Sequence, residues 1–118
     1  MKFKTIYKTV PDVIENVTMI NAGDAGTTKP AKFFNRLLPS LKPDVFFVGG
    51  DIAYDDNFGG CYYTWDFYLT ELELVFEELG YMFPLVLAVG NHDVGLNELP
   101  GINITKNLYG PYYLLYFP

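Results

Sequence analysis

Three short apolar runs punctuate the chain, and each closes on glycine followed at once by a side chain that offers oxygen. Residues 17–22 (VTMINA), 44–48 (DVFFV) and 84–89 (PLVLAV) have the length and the β-branched or aromatic content of strands. The uninterrupted run at 44–48 is the pattern of a strand covered on both faces. Between these runs the apolar positions change period. Residues 29–41 predict a helix with Pro30 in its first turn, Phe33, Leu37 and Leu38 on one face, and Pro39 and Pro43 at its end. Residues 62–80 predict a second, because Trp65, Leu69, Leu72, Val75, Phe76 and Leu79 recur at spacings of three and four. Glu71, Glu73, Glu77 and Glu78 mark its solvated side, and Gly80 is a natural stop. Residues 2–10 (KFKTIYKTV) alternate loosely and predict an exposed strand broken by Pro11 and Asp12. The tyrosine-rich stretch at 108–117 predicts a strand or hairpin arm.

The resulting order, β-α-β-α-β, defines an α/β chain with parallel strands joined by right-handed crossovers. Such strands bring their carboxyl ends to one edge of the sheet, where folds of this class place ligands. Composition narrows the partners. At 118 residues the chain is one domain at most, half its residues are hydrophobic, and its formal charge is −6. No cluster of Lys and Arg offers a face for nucleic-acid phosphates, so no nucleic-acid partner is expected. No apolar run reaches the roughly 20 residues of a membrane-spanning helix, so no membrane partner is expected either. The opening residues lack the apolar segment of a signal peptide. Cys61 is the single cysteine, which excludes an intrachain disulfide; it reads as a small buried residue. Nothing in the composition sets an oligomeric state.

The candidate chemistry lies just past the strands. The exits read INAGDAG, FVGGDIAY and LAVGNHD, and deliver Asp24, Asp51 and Asn91. Each interval between them accommodates one crossover with its helix, so the three oxygens should emerge side by side. Singly, each has a plain structural role: an Asp or Asn after a strand caps a helix or turns the chain, Tyr54 packs, and His92 hydrogen-bonds in a loop. Three such exits in register, with Tyr54 beside the second and His92 beside the third, point instead to a shared ligand. Two carboxylates at close quarters require a cation. Carboxylate, phenol and amide oxygens are hard donors, suited to iron, manganese or magnesium.

Gly23-Asp24-Ala25-Gly26, Gly50-Asp51-Ile52-Ala53-Tyr54 and Gly90-Asn91-His92-Asp93 resemble the first three of five motifs of the purple acid phosphatases, within the calcineurin-like metallophosphoesterase superfamily. The resemblance covers residues 17–95 well and the rest loosely. It implies half of a metallophosphoesterase α/β sandwich and the hydrolysis of phosphate monoesters at a pair of metals, ferric iron plus a divalent Fe, Zn or Mn. Asp24 and Tyr54 would bind the first metal, Asp51 would bridge both, Asn91 would bind the second, and His92 would contact the phosphate and assist the leaving group. Tyr54 and Gly26 favour the purple subclass, since other relatives begin with Asp-x-His. The partner implied is a small-molecule phosphate ester, and the setting is secretory, lysosomal or vacuolar.

The same resemblance implies three further histidines, from a later V-x-x-H and a later G-H-x-H, whereas the chain contains one histidine in all. The expectation is a truncated catalytic domain over residues 13–118, preceded at 1–12 by the remnant of an upstream β-sandwich strand and linker. Weak or single-metal binding and little hydrolysis by this chain alone follow from that. The alternatives are a non-catalytic remnant or pseudo-enzyme of the same fold, and another metallophosphoesterase such as a nucleotidase or phosphodiesterase.

Overall fold

The computed structural model describes residues 2–3, 16–56, 58, 60–94 and 112–117. Its centre is a three-stranded parallel sheet of β2 (Met19–Ala22), β3 (Val45–Val48) and β5 (Leu85–Leu87), in the order β2-β3-β5. Ala22, Val48 and Leu87 stand in register at its carboxyl edge. The alternation read from the sequence therefore holds, and the three exits leave from one end of adjacent strands. A separate parallel pair joins β1 (Lys2–Phe3) to β4 (Tyr81–Met82), a strand that the sequence did not announce. The remainder of the strand expected at 2–10 lies outside the described residues.

The dominant helix, α3 (Tyr63–Leu79), follows its apolar period closely. Trp65, Leu72, Val75 and Phe76 are buried, Leu69 and Leu79 pack at their margin, and Gly80 ends the helix in the left-handed conformation. Tyr68 joins them in the core, packed with Phe46, Val48, Ile52 and Phe83. One assignment fails. Glu71 is not on the solvated side: it is 8% exposed, paired with Lys32 at 3.1 Å and Arg36 at 3.5 Å. Those two cations lie one turn apart on the preceding helical segment, so together they answer a carboxylate that periodicity alone sends to water.

The helix predicted over 29–41 is two. Thr28 caps α1 (Lys29–Asn35), with Pro30 in the first turn as expected. The ladder then stops, because Pro39 has no N–H to offer the carbonyl of Asn35. Leu37 N–H bonds Phe34 O at 3.0 Å, and α2 (Leu38–Leu41) begins anew with Pro39 in its own first turn. The break disperses the predicted apolar face: Leu38 is buried, while Phe33 is 62% exposed and Leu37 41%.

The sheet is also less enclosed than its apolar runs implied. Ile20, Phe46, Val48, Leu85 and Leu87 face the helices. Met19, Phe47 and Val86, which alternate with them, remain exposed. On the second face of β3 Val45 is buried and only Phe47 is open, while β5 is partly open rather than buried. The tail departs further. Residues 113–116 form α4 (Tyr113–Tyr116) instead of a strand, since Tyr116 stacks on Trp65 at 5.7 Å and its hydroxyl donates to Asp66 at 2.9 Å. The part of that tail at 108–111 lies outside the described residues. Cys61 is half-buried. No helix among the described residues is long and apolar enough to cross a membrane.

Candidate metal centre

The rim is built from glycine contacts between neighbouring exits. Gly49 N–H donates to Ala22 O at 2.6 Å, and Asp24 N–H donates to Gly50 O at 3.1 Å, which locks the first exit to the second. Gly50 adopts φ +94°, and a Cβ there would lie 2.8 Å from the nitrogen of Gly90. A Cβ on Gly90 would in turn collide with the backbone and carboxylate of Asp51. Glycine is required at both positions for the second and third exits to touch.

Four non-glycine residues of this rim have left-handed backbones: Asp24 (φ 48°), Asp51 (φ 51°), Tyr54 (φ 56°) and Asp56 (φ 50°). Each costs about 1–2 kcal/mol relative to ordinary geometry. Strain of this kind, gathered at one edge, marks a place where side-chain direction matters more than local stability.

Three clusters occupy the rim. In the first, the Tyr54 hydroxyl donates to Asp24 Oδ1 at 2.9 Å. Burial of the phenol, then the bond to Asp24 and the nearby charges of Asp51 and Asp93, push its pKa up to about 12. Without a cation, Tyr54 is therefore a neutral phenol. In the second, Asp51 Oδ1 accepts the backbone N–H of His92 at 2.9 Å. In the third, His92 Nδ1 lies 2.8 Å from Asp56 Oδ1, and the Asp56 N–H donates to His92 O at 2.9 Å. The His92 ring also packs on Tyr54, with centroids 4.4 Å apart. Because a carboxylate can only accept, Asp56 sets Nδ1 as the donor of this pair.

Asp24, Asp51, Tyr54, Asn91 and His92 thus share one edge. Asn91 is exposed there, beside the Asp51–His92 contact. Among the described residues, however, no three side chains of His, Cys, Asp or Glu gather closely enough to hold a metal ion. The best-formed donor pair is Asp24 with Tyr54. Oxygens 2.9 Å apart match adjacent ligands on an octahedral hard cation with bonds of about 2.0–2.1 Å. The pair suits such a cation once the phenolic proton is displaced.

The sequence reading missed three acids. Asp56 orients His92. Asp55, fully buried, accepts the indole N–H of Trp65 and so ties the rim to α3. Asp93, also fully buried, accepts backbone donors from both the second and third exits. The signal available was the doubled Asp after Tyr54 and the Asp after His92, acids placed directly beside the candidate site residues.

The family model for calcineurin-like phosphoesterases matches residues 6–117, nearly the whole chain. The chain belongs to that family. No curated protein matches the chain. The calcineurin-like phosphoesterases are metal-dependent hydrolases of phosphoesters, and the parallel α/β architecture and its loaded carboxyl edge agree with that membership.

Proposed function

We propose that this chain carries the part of an acid phosphatase that binds the first metal, acting on small phosphate monoesters. The observation that carries the reading is the Tyr54–Asp24 pair, a phenol and a carboxylate set 2.9 Å apart on the rim. Asp24 and Tyr54 would hold the first ion, ferric iron, Asp51 would serve both ions, and Asn91 would bind the second, a divalent Fe, Zn or Mn. When bound, the metals neutralise the phosphate and make hydroxide available below neutral pH. With both ring nitrogens protonated, His92, oriented by Asp56, would pass the Nε2 proton to the departing alcohol oxygen and be left as the neutral ring with Nδ1–H toward Asp56. The left-handed backbones of Asp24, Asp51 and Tyr54 aim their side chains before substrate arrives.

A second reading has its own support. The absence of a three-member His, Cys, Asp or Glu cluster among the described residues favours a chain that binds a phosphate ester or a single cation without turnover. Loading the chain with ferric ion and manganese separates the readings. Visible absorbance from an iron–phenolate contact, abolished by Tyr54→Phe, is the expected result, with aryl phosphate hydrolysis far below that of a complete phosphatase. Iron bound in equal amount without colour would sink the Tyr54 assignment and favour a nucleotidase or phosphodiesterase type. Fast hydrolysis would sink the expectation of low activity.

A further inference from the structure

We infer that Asp93 is a positioning residue that braces the second and third strand exits against each other, so that Asp51 and Asn91 are presented as one unit. Its carboxylate is fully buried. Oδ1 accepts the N–H groups of Ile52 at 2.8 Å and Ala53 at 3.3 Å, the two residues directly after Asp51. Oδ2 accepts the N–H of Gly90 at 3.0 Å, the residue directly before Asn91. One side chain therefore fixes the backbone on the near side of both candidate ligands.

The exchange is reciprocal. Asp51 Oδ1 accepts the N–H of His92, so each exit supplies a carboxylate that satisfies a backbone donor of the other. Successive N–H groups that converge on one oxygen, as those of Ile52 and Ala53 do, form an anion-binding concavity. Here the anion is built into the chain. The surroundings make the arrangement consequential, because a cavity of about 200 Å³ behind Asp93 is walled by Ile52, Trp65 and Leu87. In such a place a carboxylate that lost its donors would be left without compensation. The brace also accounts for the left-handed backbone of Asp51, which needs outside support to persist.

The purpose of the brace rests on the phosphoesterase reading, while its geometry does not. Amide hydrogen exchange tests it directly. In the wild-type chain, Ile52, Ala53 and Gly90 should show protection within about threefold of each other, as members of one opening unit. Protection that differs by more than about tenfold between Ile52 and Gly90 would overturn the inference without any variant. In Asp93→Asn, whose amide cannot accept on both sides, these amides should exchange about tenfold faster or more, with those of Leu72 and Val75 nearly unchanged. The control Val75→Ala should instead speed α3 and rim together. Uniform acceleration in Asp93→Asn, or acceleration of one exit alone, would overturn the brace. Manganese titration by calorimetry adds the functional arm: affinity should fall about tenfold in Asp93→Asn and less than about twofold in Val75→Ala. Equal losses in the two variants would reduce Asp93 to a structural residue. A wild-type chain that takes up no manganese would sink the metal reading, and exchange would still decide the brace.

Discussion

The two sides of the rim are held in different ways. On one side Asp24 is exposed, tied to its neighbours by its own N–H to Gly50 and by the Tyr54 hydroxyl. On the other, Asp51 is locked by glycine packing, by the His92 N–H and by the buried Asp93 beneath it. The first side keeps a proton where a cation would sit, and the second is organised by backbone donors. One rests on an exposed phenol–carboxylate bond, and the other on buried backbone donors.

Replacing glycine on each side should expose the difference most strongly. Gly90→Ala drives a Cβ into Asp51 and should cost about 3 kcal/mol by thermal or denaturant unfolding. Gly26→Ala meets only the Tyr54 ring, at 3.5 Å, and should cost about 1 kcal/mol from its left-handed backbone alone. Equal costs would erase the distinction. A smaller effect is expected of Asp24→Asn, which should change metal-free stability by less than about 1 kcal/mol because its partner is a partly exposed hydroxyl. Manganese affinity in the same variant should drop sharply, and a variant that binds as well as wild type would remove Asp24 from the site.

A pH dependence is expected as well. The Tyr54 phenol is pushed from 10.0 to about 12, so the folded chain holds its proton more tightly than the unfolded chain does. The associated stability is fully present below pH 10 and is lost as pH rises toward 12. Alkaline titration of phenolate absorbance, wild type minus Tyr54→Phe, should isolate one group ionising near 12. A difference curve centred near 10 would show that Asp24 and burial do not grip this phenol.

Much of the fold could be read in advance where a single period dominates. The long α3 and the order of strands follow from apolar spacing that no tertiary contact opposes. Glycine before Asp24, Asp51 and Asn91 likewise announced the edge, since close backbone approach leaves few other choices. Reading failed where a distant partner decides. Glu71 is buried because Lys32 and Arg36 reach it from another helix, and residues 113–116 are helical because Trp65 and Asp66 receive Tyr116. The role of Asp93 could not be read from spacing, because two of its three donors lie some forty positions back along the chain. The Pro39 break was readable in principle, because the missing N–H is written in the residue itself.

That long separation has a kinetic consequence. A carboxylate at position 93 can meet the amides of Ile52 and Ala53 only after the intervening helix and strand have docked and the loop-closure entropy has been spent. The rim should therefore form late in folding. A nascent chain released only as far as β5 holds Asp51 without its support, and the edge that would take up metal takes its final shape after the layers behind it.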